Sequence, residues 1–159
     1  MNAIRFFWLI PLVIFLACCD PRPAPSTKTN AIESAVTLDP CSLLTRDEVG
    51  AVLGQPVTNA KLQRFPRPNC SYILGDGSLT VFVFTDLSAR GGFEAGKRMQ
   101  DSHTEPVAGV GDQAYWSPGI KTLNILKGNI YFTVQFYGIP SGSLETMKAL
   151  AQRAADRLP

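Results

Sequence analysis

An uncharged run from Phe6 to Cys19, with one cation before it at Arg5 and prolines at 21, 23 and 25 after it, divides the chain before any folding argument can start. Its 14 residues fall short of the roughly 20 that a membrane-spanning helix needs, but they suit the hydrophobic region of an export signal. Ordinary signal cleavage wants small side chains at the first and third positions before the cut, and a cut after Ala17 would put Phe15 at the third. The next stretch, DPRPAPSTKTNAIESAVT, starts with alternating prolines and continues with small polar residues. Proline fixes φ and lacks a donor, so this predicts an extended start and a tether without structure of its own, holding the later residues on the order of 25 Å from the apolar run. Folding is thereby confined to residues 38–159, a length that suits one domain.

The end of the apolar run, FLACCD, resembles the lipobox of bacterial lipoproteins. There a small residue precedes a cysteine that receives a diacylglyceryl group before lipoprotein signal peptidase cuts. The resemblance implies a signal peptide over residues 1–17, lipidation of Cys18, a tether over residues 18–37 and a partner in the lipid bilayer. Cys19 is the alternative, since it places Leu16 and Ala17 better upstream but sets Cys18 beside the scissile bond. An uncleaved anchor and a plain signal peptide are the rival readings. Acyl chains contribute about 0.8 kcal/mol per buried methylene, and stable anchoring takes more than one chain, which a lipoprotein cysteine provides. The expected location is a bacterial cell envelope, with the domain facing the periplasm or the outer surface. In enteric-type bacteria an aspartate directly after the lipidated cysteine favours the inner membrane, so Cys18 leaves outer-membrane sorting open and Cys19 argues against it.

Within residues 38–159, LDPCSLLTRDEVGAVLGQPV predicts a short helix. Thr45 and Glu48 have capping-box spacing, Leu44 and Val49 sit where a hydrophobic staple would, and Gly54 and Pro56 end it. NCSYILGDGSLTVFVFTD predicts a hairpin turning at Gly75-Asp76-Gly77. Ser88 to Gln100 predicts a helix with Phe93 and Met99 facing in, weakened by Gly91, Gly92 and Gly96. An extended segment over Gln113 to Trp116 precedes a second hairpin turning at Gly128-Asn129, whose last strand puts Ile130, Phe132, Val134 and Phe136 on one face. Ser143 to Leu158 places Leu144, Met147, Leu150, Ala151, Ala154 and Leu158 at helical spacing, with Glu145 early and Arg153 and Arg157 late. The expectation is an α+β domain of order α-β-β-α-β-β-β-α, with an antiparallel sheet of about five strands packed against two to three helices. Ile73 to Phe84 and Ile125 to Phe136 read as one hairpin used twice.

Net charge is +2, and Lys and Arg are scattered among nearly as many Asp and Glu, so no basic stripe is present to meet a phosphate backbone. Nucleic acid is excluded as a partner on that ground. Of the remaining cysteines, Cys41 and Cys70 should oxidise in an exported protein and close a loop worth about 3 to 4 kcal/mol by chain entropy. A catalytic or metal-binding thiol pair is the rival, although the spacing is far from CxxC and His103 is the only histidine. Gly109-Val110-Gly111-Asp112-Gln113-Ala114 matches GxGxxG/A formally, but Tyr115-Trp116-Ser117-Pro118 comes next as strand and turn rather than helix, so a glycine-shaped turn is the reading. GxSxG, HExxH and DxDxDG are all missing, and Asp47-Glu48 belongs to the first turn of a helix. These observations assign no catalytic residue, metal ligand or cofactor, and the chain reads as a non-enzyme.

LDPCSLLT, the later cysteine in NCSYIL, and VAGVGDQAYW followed by a hairpin resemble a broad group of bacterial envelope lipoproteins, many of unknown function. The matching positions are Pro40, Cys41, Leu43, Leu44, Thr45, Cys70, Gly111, Asp112 and Ala114. The resemblance implies an extracytoplasmic fold and a disulfide. It carries over no catalytic residue. The function expected is a membrane-anchored binding or interaction module, whose candidate face is the strand side bearing Tyr131, Gln135 and Tyr137, joined by Trp116, for an envelope protein or a glycan. An envelope hydrolase or transferase acting on cell-wall or lipid substrates, and an accessory subunit of an envelope complex, are the alternatives.

Overall fold

The structure, a computed structural model, describes residues 38–84, 89–100, 103–140 and 142–159. The apolar N-terminal run, Cys18, Cys19 and the tether lie outside the described residues, as do Ser88 and Ser141. Seven strands form one antiparallel sheet: β1 (Asn59–Gln63), β2 (Asn69–Ile73), β3 (Ser78–Phe84), β4 (Glu105–Val107), β5 (Gln113–Ser117), β6 (Thr122–Lys127) and β7 (Ile130–Tyr137), in the order β1-β2-β3-β7-β6-β5-β4. Helices α1 (Arg46–Leu53), α2 (Ala89–Met99) and α3 (Leu144–Asp156) complete the α+β architecture. Two three-stranded meanders, β1-β2-β3 and β5-β6-β7, meet along the β3/β7 seam, so the two similar hairpins lie side by side.

The sequence leads one to expect about five strands, and seven are present. Both unforeseen strands are edges. β1 reads NAKLQ, with none of the β-branched or aromatic residues that favour strands, and β4 is three residues long with Pro106 at its centre. Such strands are defined by the neighbour they pair with, here Asn59↔Ile73 through Gln63↔Asn69 and Glu105↔Trp116 through Val107↔Ala114, and not by their own pattern. A short, proline-bearing edge also resists further pairing.

One face of the sheet is sealed. Cys70, Tyr72, Leu79, Val81, Val83, Leu123, Ile125, Phe132, Val134 and Phe136 bury against Val49 of α1 and Met147, Leu150, Ala151 and Ala154 of α3. α1 starts as its sequence predicts: Thr45 Oγ1 accepts from Glu48 N–H at 3.2 Å while Glu48 Oε2 accepts from Thr45 N–H at 2.8 Å, and Gly54 at φ 68° ends the helix. α3 is capped by Ser143 Oγ accepting from Thr146 N–H at 3.1 Å, and Lys127 Nζ donates to the Ala155 carbonyl at its C-terminal end. Cys41 and Cys70 form a disulfide that fastens the turn before α1 to β2.

α2 packs on the other face through Ala89 and Phe93, which join Tyr115, Leu126 and Tyr131 in a second, smaller apolar cluster. Met99 does not face in; its side chain is 86% exposed. Six residues after Phe93 amount to about 600° of helical rotation, which puts it about a third of a turn off the buried stripe. Of the three glycines that weaken α2 as an isolated helix, Gly96 is the one its docking uses. A Cβ on Gly96 would lie 2.7 Å from the Tyr115 hydroxyl, and one on Gly92 would lie 3.7 Å from the Tyr131 ring.

Candidate binding face

Strand alternation sends every second residue to the face that carries α2. The register lines these side chains up in rows across the sheet. One row reads Lys61, Ser71, Thr80, Gln135, Thr122, Ser117 from β1 to β5. Beside it runs Asn59, Ile73, Ser78, Tyr137, and on its other side Gln63, Asn69, Phe82, Thr133, Asn124, Tyr115. α2 lies over the far end, where Tyr131 and Leu126 stand opposite each other. Apart from Ile73, Phe82 and Tyr137 the rest of the face is polar, and all seven buried polar residues among those described belong to it: Asn69, Ser71, Thr80, Ser117, Thr122, Asn124 and Thr133. Small hydroxyls sink between larger neighbours and form a floor, while Gln135, Tyr137 and Ile73 stand above it.

Hydrogen bonds hold that floor in place. The Tyr131 hydroxyl donates to Asn124 Oδ1 at 2.8 Å, and Asn124 Nδ2 donates to Ser117 Oγ at 3.4 Å. Burial pushes the Tyr115 and Tyr131 phenols above the usual tyrosine range, so both stay neutral. Thr80 Oγ1 donates to Ser71 Oγ at 3.4 Å. Tyr137 Oη donates to Gln135 Oε1 at 2.6 Å, and Gln135 Nε2 donates to the Ile120 carbonyl at 3.2 Å, which ties the strand to the turn at Pro118–Ile120. Among the described residues no buried side-chain polar atom lacks a partner.

The four residues expected to share a face do not come together. Gln135 and Tyr137 do, and Tyr137 is 47% exposed. Tyr131 is on the same side but lies under α2, stacked on Phe84 with ring centroids 4.5 Å apart and edge-on to Phe93. Trp116 pairs with Leu123, which pairs with Val134, so it points into the sealed core on the opposite face. Strand phase decides this: Tyr115, not Trp116, shares the phase of Tyr131 and Gln135. Sequence reasoning passes over Ile73, Ser71 and Thr80, because the pairing of β2 with β3 and of β3 with β7 is not written in any one strand. The alternation of SLTVFVF is the signal that could have placed Thr80.

Two hollows border these elements. A cleft of about 520 Å³ lies between Met99–Gln100 at the end of α2, His103–Glu105, and Ser117–Ile120. An open depression of about 830 Å³ runs along α1 from Arg46 to Val57. The GxGxxA stretch is a turn: Gly109 and Gly111 have φ of 83° and 60°, and the Asp112 carboxylate accepts from Gly128 N–H at 2.7 Å. A Cβ on Gly111 would meet the Leu126 carbonyl at 2.7 Å, so glycine is required there for both conformation and room. Among the described residues no group of three or more His, Cys, Asp or Glu is placed to hold a metal, and no helix is long and apolar enough to cross a membrane. The domain is thus of the antiparallel α+β class, with one sealed and one half-covered sheet face. No family model, curated protein or solved structure matches the chain.

Proposed function

We propose that the chain is a lipid-anchored protein of a bacterial cell envelope, whose domain binds an envelope protein or a glycan through the half of the second sheet face that α2 leaves open. The carrying observation is the contrast between the two faces: one is sealed by α1 and α3, whereas the other presents Tyr137, Gln135 and Ile73 over a floor of hydroxyls and amides. Aromatic rings beside amides and hydroxyls suit the apolar faces and hydroxyl edges of sugars, and equally the mixed surface of a protein partner. The anchor rests on the lipobox resemblance of FLACCD, and the exported compartment agrees with the Cys41–Cys70 disulfide. A hydrolase would have to be sought in the cleft of about 520 Å³, which brings Glu105, His103 and Ser117 to one place.

One preparation tests both halves of the proposal. The full chain, carrying a photocrosslinking residue at position 137, is made in its own envelope, irradiated and purified. Mass spectrometry should find a mature terminus at Cys18 bearing acyl groups, and a discrete adduct that is missing when the probe sits at Arg153 on α3. A terminus that retains Ala17 overturns the anchor, and equal labelling from positions 137 and 153 overturns the face.

A further inference from the structure

The turn between β1 and β2 reads Arg64-Phe65-Pro66-Arg67-Pro68, and all five residues are exposed. Phe65 is 87% exposed, the most of any large apolar side chain described. Leaving a phenylalanine in water forgoes roughly 1.5 to 3 kcal/mol of burial, so a surface that would receive it is worth seeking. The surrounding charge says which. From Val49 to Gly75 the chain has no Asp or Glu, while Lys61, Arg64 and Arg67 all fall there. The domain from Leu38 onward holds twelve Lys and Arg against eleven Asp and Glu, so this excess is local to the tip and not a property of the whole.

The tip is also held in shape. Asn69 Nδ2 donates to the Arg67 carbonyl at 3.0 Å, and the Arg67 guanidinium lies over the Phe84 ring at 4.8 Å. Its place in the domain matters most. Cys70, three residues after Arg67, has its Cα 5.0 Å from that of Cys41, so the disulfide brings the chain's entry into the domain to the same end of the sheet as the tip. Among the described residues Asp39 lies at this end, two positions before Cys41, and its Oδ1 is engaged by the Cys41 N–H at 2.8 Å.

We propose that Arg64-Phe65-Pro66-Arg67 is a membrane-contact site for an anionic bilayer, Phe65 entering the headgroup layer while Arg64 and Arg67 meet lipid phosphates. Its use in the cell rests on the lipid-anchored reading, because anchor and tip would then face one bilayer and the second contact would act at the high local concentration that the tether imposes. An arginine near an anionic leaflet contributes about 1 kcal/mol, or roughly five-fold in partitioning, and one ring adds the apolar part.

The test uses the unacylated segment 33–159. Both apolar clusters of the described residues lie between Leu38 and Leu158, so the segment carries them whole; cooperative unfolding is verified first. Co-sedimentation with phosphatidylglycerol-rich vesicles should exceed that with phosphatidylcholine vesicles and fall with salt. Arg64→Gln should weaken it about five-fold, R64Q with R67Q about thirty-fold, and Phe65→Ala clearly, whereas Arg153→Gln on α3 should leave it unchanged. In the Phe65→Trp variant, emission should shift to the blue on anionic vesicles. Equal binding to both vesicle types, no shift from the new tryptophan, or an equal loss in Arg153→Gln overturns the proposal; a tip that serves a protein partner instead would give the first two results. With no acyl chain present, the outcome is independent of whether Cys18 is lipidated.

Discussion

Glu48 serves two partners at once. Its Oε2 closes the capping box on Thr45, and its Oε1 accepts from Arg157 Nη2 at 2.6 Å, while Arg157 Nη1 also donates to the Leu43 carbonyl. The Arg157 hydrogen bond, then the Thr45 backbone N–H, hold the Glu48 carboxyl down at about 2, from an ordinary value of 4.5. A lowered folded pKa stabilises fully above 4.5, and the contribution is lost as pH falls from there through about 2. Since the pair is solvated, at 36% and 23% exposure, screening reduces its worth to roughly 1 kcal/mol. Glu48→Gln should therefore cost about 1 kcal/mol at pH 7 in urea unfolding, with the gap to the unaltered domain narrowing below about pH 4. Glutamine keeps the capping hydrogen bond, so a gap that stayed constant down to about pH 2 would show that the carboxylate's charge plays no part. The cap itself was legible from Thr45 and Glu48, because both ends of it lie three residues apart; Arg157 was not, being 109 positions away.

At the scale of elements, α2 shows how a sequence rule is set aside by packing. Gly91, Gly92 and Gly96 weaken the helix in isolation, each by roughly 0.5 to 1 kcal/mol relative to alanine. Only some of them are needed. A Cβ at Gly91 meets nothing within 4 Å, whereas one at Gly96 would lie 2.7 Å from the hydroxyl of Tyr115, whose ring is buried and packed against Phe93. Gly91→Ala should thus stabilise the domain by about 0.5 to 1 kcal/mol, and Gly96→Ala should destabilise it by about 1 kcal/mol once overpacking outweighs the gain in propensity. Thermal unfolding of the two variants decides it, and a stabilised Gly96→Ala would mean that α2 is not seated on Tyr115. The helices α1 and α3 were readable because the burial of each tracks its own spacing, and β7 was readable from its apolar–polar alternation even though Tyr131 and Thr133 on its second face are buried as well. β1 and β4 were not, since an edge strand with weak propensity exists only by virtue of its neighbour. The same limit misplaced Trp116: it looked like a companion of Tyr131 as a large amphipathic ring, but which face a strand residue takes depends on the register between strands, and adjacent residues 115 and 116 differ in phase.

For the whole molecule, the sheet gives a long-range framework and the disulfide fixes one corner of it. The segment Leu38–Leu44 that leads into α1 has little regular structure, one short 3-10 turn at Pro40–Ser42, yet Leu43 and Leu44 are both 1% exposed and the Leu44 carbonyl accepts from the buried Tyr72 hydroxyl at 2.7 Å. What keeps this irregular stretch on the sheet is its apolar contact, the Tyr72 hydrogen bond and the bridge to Cys70. A cross-link spanning 29 residues removes about 3 to 4 kcal/mol worth of disorder from the unfolded chain, a large part of the roughly 5 to 15 kcal/mol typical of a domain this size. Replacing both cysteines by alanine in segment 33–159 should lower the unfolding free energy by about 3 kcal/mol, and because Cys70 is wholly buried the alanine there adds a small cavity cost. The loss should fall unevenly: amides of residues 38–45 and of β1 should exchange faster than the global loss of stability requires, whereas those of β3, β6 and β7, in the middle of the sheet, should exchange only through global unfolding. Hydrogen exchange on the oxidised domain and the double variant measures both quantities. Uniform acceleration across all seven strands would mean that the bridge acts on the unfolded chain alone, and that the Leu38–Leu44 segment holds its place without it.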